Sequence, residues 1–155
     1  MNLARRIALL AGCLVISFLP GVVGGQFEPG AWYAALDKPP LTPPGWVFPI
    51  AWTALYAAMG VALYLVITAP GPVAWGLLAV FALQLVLNGA WSWLFFGLQR
   101  PGAALADLAA LWLAIAWLTV AFWRRRPIAG ALFLPYLLWV SFAGYLNAGI
   151  WLLNR

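Results

Sequence analysis

Two polar side chains inside a long apolar segment are the first candidates for chemistry in this sequence. Gln84 and Asn88 lie four residues apart, so on a helix they would share one face, which Trp91 and Phe95 would continue. A polar pair beside an aromatic stripe suits a flat ligand with polar edges. The alternative is that the pair forms hydrogen bonds between helices, which average only about 0.6 kcal/mol in membranes.

Three further aromatic residues could face the same space. Trp52 and Tyr56 form a second pair four residues apart, and Trp139 follows Pro135 by four residues. The proline removes a backbone hydrogen bond, so we expect a kink there, with small residues such as Ala143 leaving room between helices. Each ring taken singly is explained by apolar packing. The set taken together favours a shared ligand cavity.

One acidic residue, Asp107, lies inside an apolar segment near the start of a predicted helix. The helix dipole favours a negative charge there. Asp107 could bind a proton or an ion. The alternatives are that its side chain reaches the membrane interface or that it pairs with Arg100.

Several classes of enzyme are excluded by the residues that the chain lacks. It has no histidine and only three acidic residues, so neither a hydrolytic triad nor a carboxylate metal site is expected. A nucleotide-binding glycine loop is also absent from the sequence. No metal site is predicted, and no cofactor is required by these residues.

The connection 26–45 is long enough to have structure of its own. It contains four prolines, here called the loop prolines, which fix φ and remove N–H donors, so the loop should be rigid: Pro39, Pro40, Pro43 and Pro44. Such a loop could hold Trp32, Tyr33 and Trp46 over a cavity as a lid. The alternative is a stiff connector whose aromatic rings lie at the membrane interface.

The composition predicts the elements that must position these residues. The chain is 66% hydrophobic and 7% charged, whereas soluble domains have about 25% charged residues, so it should be an integral membrane protein in a lipid bilayer. Five apolar segments of about 19–27 residues can each cross a hydrocarbon core of about 30 Å. They are residues 7–25, 46–69, 73–97, 102–123 and 127–153.

The predicted fold is an all-α membrane protein: a five-transmembrane-helix bundle, one domain over residues 1–155, with a structured loop between helices 1 and 2. The later connections are short, so consecutive helices should be antiparallel neighbours. The first segment could be read as a signal peptide. Its length and the lack of a clear Ala-x-Ala site favour a retained helix.

The positions of the basic residues predict the orientation. Arg5, Arg6 and the arginines at 124–126 would lie on one side, and only Lys38, Arg100 and Arg155 on the other. The richer side is therefore expected to be cytoplasmic, with the amino terminus inside. No basic face interleaved with aromatic residues is visible, so a nucleic-acid partner is not expected.

Four ordered blocks resemble the TspO/translocator protein family, also called tryptophan-rich sensory protein or peripheral-type benzodiazepine receptor. The first is Trp-Tyr at 32–33 with Lys-Pro-Pro at 38–40. The second is Pro-Pro-Gly-Trp-Val-Phe-Pro at 43–49 with Ala-Trp-Thr at 51–53 and Leu-Tyr at 55–56. The third is Gln-Leu at 84–85, Leu-Asn at 87–88, Trp-Ser at 91–92 and Phe-Phe-Gly at 95–97. The fourth is Pro-Tyr-Leu-Leu-Trp at 135–139, Phe-Ala at 142–143 and Leu-Asn at 146–147.

The resemblance implies a bacterial five-helix protein, commonly a homodimer, with a ligand cavity closed by the first loop. It implies binding of porphyrins such as protoporphyrin IX and of benzodiazepine- or isoquinoline-type compounds. By motif, the ligand-binding positions would be Trp32, Trp46, Trp52, Tyr56, Gln84, Asn88, Trp91, Trp139, Ala143 and Leu146. Trp52 and Trp139 match the tryptophans that the family associates with porphyrin breakdown.

Three functions follow from the resemblance. The first is a membrane receptor or sensor that binds tetrapyrroles in a tryptophan-lined cavity. The second is an enzyme that degrades porphyrin in light, with Trp52 and Trp139 as the catalytic residues. The third is a transporter of porphyrin or sterol. The chain departs from the cholesterol motif of animal members, because Ala148 follows Leu146 and Asn147 and the next basic residue is Arg155. We expect the bacterial inner membrane, with the outer membrane as the alternative.

Overall fold

Five long apolar helices dominate the computed structural model, which describes residues 2–155. They are α1 (Leu3–Gly24), α3 (Val47–Ile67), α4 (Trp75–Ser92), α5 (Pro101–Arg125) and α6 (Pro127–Leu153), and α2 (Ala31–Ala35) is a short helix in the loop after α1. Each of the five is long and apolar enough to cross a membrane. The predicted all-α fold with five spanning helices is confirmed, and the chain is an integral membrane protein.

Local sequence explains where several helices begin. Asn2 caps α1, because its side-chain oxygen accepts a hydrogen bond from the Arg5 backbone N–H at 3.0 Å. Pro101 and Pro127 begin α5 and α6. Proline is favoured at a first helical position because the missing N–H would have no partner within the helix. Because Asn2 is the cap, α1 begins four residues before the predicted start at residue 7.

The predicted third segment does not remain α-helical to its end. Residues Trp93–Gly97 form a π-helical turn, in which the Leu98 N–H bonds to the Trp93 carbonyl at 2.7 Å. The wider turn directs two adjacent rings into separate contacts: Phe95 stacks on Trp91, and Phe96 meets Tyr33 edge-on. This packing is the physical reason for the departure, and π turns often mark functional sites.

The five long helices form a closed ring. In order around the ring, α1 packs on α3, α3 on α6, α6 on α5, α5 on α4, and α4 on α1. The expectation that consecutive helices are neighbours is wrong for α3 and α4, because α1 lies between them. The connection after α3 is long enough to pass the end of α1, and Arg125 holds it in place.

Arg125 anchors that connection by donating hydrogen bonds to backbone carbonyls. Its guanidinium bonds to Val66 at 2.9 Å, to Gly71 at 2.8 Å, to Pro72 at 3.1 Å and to Ala69 at 3.4 Å. These contacts satisfy carbonyls at the carboxyl end of α3, where a cation is also favoured by the helix dipole.

Large apolar side chains fill one half of the ring. Phe122 packs between Phe81 and Phe133, with ring centroids 6.2 Å and 4.7 Å apart, and all three rings are buried. In the other half, where α1 ends and the 26–45 loop crosses the bundle, large rings such as Trp91 and Phe95 surround an open space. That half contains the cavity described next.

Candidate ligand cavity

A cavity of about 580 Å³ lies in the unfilled half of the ring, beneath the 26–45 loop. Its volume is in the range of about 300–1,000 Å³ typical of small-molecule sites. The end of α1, the loop, the start of α3, the end of α4, part of α5 and the second half of α6 form its walls. The lining is mainly aromatic and aliphatic, and it includes Tyr33, Phe48, Trp52, Tyr56, Asn88, Trp91, Ser92, Phe95, Trp139, Ala143, Leu146 and Asn147.

Three tryptophans on different helices line the cavity, and neighbouring rings fix each of them. Trp52 stacks on Tyr56 with centroids 5.4 Å apart, and Trp91 stacks on Phe95 at 5.0 Å. Trp139 meets Phe48 edge-on at 5.9 Å. Each indole is therefore held by a contact that contributes about 0.5–1.5 kcal/mol beyond area burial. The cavity is lined by rings that are already oriented.

A buried chain of hydrogen bonds supports the wall formed by α3, α4 and α6. The Tyr56 hydroxyl donates to the Asn88 carbonyl oxygen at 2.8 Å, and the Asn88 amide donates to the Tyr136 hydroxyl at 2.8 Å. Tyr136 donates to Gln84 at 2.9 Å, and the Gln84 amide contacts the Met59 sulfur at 3.3 Å. Because its members satisfy one another, this network fixes the three helices and leaves Asn88 at the cavity surface.

Asn147 positions a second part of the wall. Its side-chain oxygen accepts a hydrogen bond from the Trp91 indole N–H at 2.9 Å, and its amide donates to the Pro101 carbonyl at 2.8 Å. One amide thus joins α4, α5 and α6. Asn147 is buried and lines the cavity.

Glycines on α1 let that helix approach the cavity wall closely. A Cβ on Gly21 would lie 2.7 Å from the Tyr56 ring, and one on Gly24 would lie 2.8 Å from the Ser92 hydroxyl oxygen. Both glycines line the cavity. Larger residues at either position would displace the groups that they now contact.

The 26–45 loop is docked on the end of α6 as a lid. Asp37 and Asn154 form a reciprocal pair: the Asp37 N–H donates to the Asn154 side chain, and the Asn154 amide donates to the Asp37 carbonyl, each at 2.9 Å. The Tyr145 hydroxyl donates to the Pro40 carbonyl at 2.9 Å. Pro39 is buried against Gly149, where a Cβ would lie 2.7 Å from the proline ring.

The lid also brings charged and polar groups to the cavity. Lys38 and Glu28 are among the lining residues. The Lys38 ammonium donates to the Leu36 carbonyl at 3.1 Å and lies 4.7 Å from the centre of the Tyr33 ring. Burial raises the pKa of the Tyr33 hydroxyl above its usual value of 10.0. Tyr33 is therefore a neutral hydrogen-bonding group at neutral pH.

The structure brings most of the predicted ligand-binding residues to this cavity. Those that line it are Trp52, Tyr56, Asn88, Trp91, Trp139, Ala143 and Leu146. They come from α3, α4 and α6, so the fold assembles one surface from distant parts of the sequence.

Three predicted residues lie elsewhere. Trp32 packs edge-on against Phe95 at 5.9 Å, behind the wall. Trp46 is 67% exposed at the start of α3. Gln84 is fully buried one turn below Asn88, in the hydrogen-bond network. These three residues do not line the cavity, and a role for them in ligand binding stays a prediction.

Asp107 has a different environment from the one that pairing with Arg100 would give. Its Oδ2 atom is buried and has no hydrogen-bond partner among residues 2–155. Asp107 is not among the residues that line the cavity. Its polar atom therefore takes no part in the ligand site.

Comparison with known proteins places the chain among membrane proteins of one family. A model of the TspO/MBR family matches residues 9–152. The tryptophan-rich protein TspO of Chlorobaculum tepidum is 42% identical over 156 residues, which cover 97% of this chain and 98% of that protein. Protein CrtK of Rhodobacter capsulatus is 38% identical over 150 residues, with 96% and 94% covered. The human translocator protein is 41% identical over 138 residues, with 83% and 80% covered.

Proposed function

This chain belongs to the TspO/MBR family, and we propose that it is a membrane receptor or sensor that binds tetrapyrroles such as protoporphyrin IX. The observation that carries the proposal is the convergence of Trp52, Trp91 and Trp139 on one cavity beneath a docked lid. A porphyrin is a large aromatic disc, so three fixed indoles offer it ring contacts on several sides.

Polar groups at the cavity edge suit the rest of such a ligand. Protoporphyrin IX has two carboxylates, and Lys38 supplies a cation on the lid that is only half buried. Asn88 and Ser92 add hydrogen-bonding groups on α4. The same mixture of apolar walls and few polar groups supports benzodiazepine- or isoquinoline-type ligands in the same space.

Titration of the purified protein with protoporphyrin IX in darkness tests this function. We expect a dissociation constant in the micromolar range or below and strong quenching of tryptophan fluorescence, because three indoles would lie against the ligand. An isoquinoline-type compound should compete. Unquenched fluorescence at saturating porphyrin would rule out this cavity as the binding site.

A light-dependent porphyrin-degrading activity is the second candidate function. Trp52 and Trp139 both line the cavity and would lie close to an excited porphyrin. Indole is readily oxidised, and dioxygen would be the oxidant in this reaction. Product that forms under illumination only when these indoles are present would support an enzyme, whereas dark binding without product would support a receptor. Uptake into vesicles would instead support transport.

We also propose a homodimer, which the family resemblance implies. Exposed apolar side chains, including Trp75, Trp93 and Trp117, give the bundle large apolar outer faces. Such faces contact lipid or a second copy. Light scattering in detergent, corrected for bound detergent, distinguishes a dimer from a monomer.

The bacterial inner membrane, with the amino terminus in the cytoplasm, is the proposed location. The arginines at the ends of α1 and α5 lie at one end of the bundle, whereas Lys38, Arg100 and Arg155 lie at the other. Reporter fusions at residue 155 test the orientation. A carboxyl-terminal reporter that is active only in the cytoplasm would contradict it.

A further inference from the structure

A groove of about 780 Å³ lies at the end of the bundle opposite the ligand cavity. The first turns of α1, the last turn of α3 and the α5–α6 junction form it. We propose that this groove binds the phosphodiester headgroup of an anionic phospholipid. The residues that line it are Arg5, Arg6, Ala8, Leu9, Tyr64, Ile67, Thr68 and Arg126.

The groove concentrates positive charge without an acidic partner. Arginines from two separate parts of the chain, Arg5 with Arg6 and Arg126, meet in it. The sequence has only three acidic residues. Glu28 lines the ligand cavity, Asp37 is bonded to the end of α6, and Asp107 is in the half of α5 nearer that cavity. The guanidinium groups in the groove are therefore available to an external anion.

Arg125 is hydrogen-bonded within the protein, whereas the guanidinium groups of the groove are not. Arg125 donates to four backbone carbonyls. The side chains of Arg5, Arg6 and Arg126 donate no hydrogen bond to any residue in the described range 2–155. A planar guanidinium with free donors matches the oxygens of a phosphate group, so this groove offers three such partners.

The apolar part of the lining favours a lipid over free phosphate. Leu9 lies one helical turn deeper than Arg5 and Arg6, and Ile67 faces the groove from the last turn of α3. The groove is thus cationic at its outer end and apolar toward the interior of the bundle. A phospholipid has the same order of groups, and basic pockets at the ends of spanning helices bind such headgroups.

Arginines at helix ends also set membrane topology, so the test must separate a built site from general positive charge. Arg124 supplies the matched control. It is exposed at the same end of the bundle, two residues from Arg126, yet it does not line the groove. If the groove is a specific binding site, replacing Arg126 should weaken lipid binding and replacing Arg124 should not.

Binding of a short-chain phosphatidylglycerol to the full chain in neutral detergent, followed by native mass spectrometry and calorimetry, tests the proposal. Each arginine near an anionic group contributes about a fivefold change in affinity. The triple variant Arg5→Gln, Arg6→Gln, Arg126→Gln should therefore bind about 100-fold more weakly. Arg124→Gln should change affinity less than twofold. Phosphatidylcholine and inorganic phosphate should bind at least tenfold more weakly than phosphatidylglycerol.

Two results would overturn the proposal. Equal losses in Arg126→Gln and Arg124→Gln would show general charge attraction, and inorganic phosphate binding as tightly as the lipid would show a free-anion site. Dark protoporphyrin IX binding by the triple variant verifies the fold if it equals that of the parent. Should the parent itself bind no porphyrin, the thermal unfolding midpoint verifies the fold instead, so this proposal stands or fails separately from the ligand function.

Discussion

Gly149→Ala should undock the lid while leaving its own helix intact. A Cβ at position 149 would lie 2.7 Å from Cβ and Cγ of Pro39. The proline ring is stiff and buried, so the loop must move away. The same change favours the helix, because alanine exceeds glycine in helix propensity by about 1 kcal/mol. Lid docking and helix stability are therefore predicted to change in opposite directions.

The size of the effect follows from the contacts that dock the lid. Three hydrogen bonds join the loop to α6, two between Asp37 and Asn154 and one from Tyr145 to Pro40. Each contributes about 0.5–1.5 kcal/mol. Losing two of them costs about 2 kcal/mol, which lowers the equilibrium constant for lid docking about 30-fold. If binding needs the docked lid, porphyrin affinity should fall by the same factor as the docked fraction, so we expect a measurable loss of up to about 30-fold.

Gly144→Ala is the matched control for this experiment. Position 144 is on the same helix, but a Cβ there would meet only Leu108 Cδ2, at 3.7 Å, which is an ordinary contact. Dark porphyrin affinity and the thermal midpoint are measured for both variants in one detergent. Equal affinities for Gly149→Ala, Gly144→Ala and the parent would refute the account of the lid.

Three other changes test the lid, the indoles and the polar network. Replacing the loop prolines with alanine should weaken porphyrin binding without lowering the bundle's thermal midpoint, because the loop gains freedom that binding must remove; unchanged affinity would make it a connector only. Trp139→Phe and Trp52→Phe should keep most of the porphyrin affinity and sharply lower any product formed under matched illumination. Trp123→Phe should leave product formation unchanged. Parental rates of product formation in the first two variants would contradict the photochemical role. Tyr136→Phe should lower the free energy of unfolding by about 2 kcal/mol, because the buried side chains of Gln84 and Asn88 each lose their hydrogen bond to the Tyr136 hydroxyl. A change below about 0.5 kcal/mol in chemical unfolding would contradict this.

The elements were predictable because spanning helices need long apolar runs, and prolines and arginines separate those runs in this sequence. The order of the helices around the ring could not be predicted from the sequence. Short connections favour neighbours, but the position of α1 between α3 and α4 depends on packing such as that of Gly60 against Leu14. The π turn at Trp93–Gly97 likewise arises from ring contacts that no local pattern reports.

Helical spacing placed Asn88 and Trp91 on one face, and both line the cavity. It could not show how deep the cavity extends, so Gln84, one turn further along, was assigned to the surface although it is fully buried. The direction of Trp46 depends on how the loop enters α3, which the sequence does not encode locally. Asn147, which also lines the cavity, carries a usable sequence signal, because it is a polar residue inside a span and lies two turns from Trp139.

Filling the cavity tests the central claim most directly. Ala143 lines the cavity, whereas Leu138 on the same helix is 70% exposed on the outer face. The dissociation constant of protoporphyrin IX is measured in darkness for Ala143→Phe, for Leu138→Phe and for the parent, after size-exclusion chromatography shows that each is folded. We predict at least a tenfold loss for Ala143→Phe and less than a twofold change for Leu138→Phe. Parental affinity in a folded Ala143→Phe variant would show that porphyrin does not bind in this cavity.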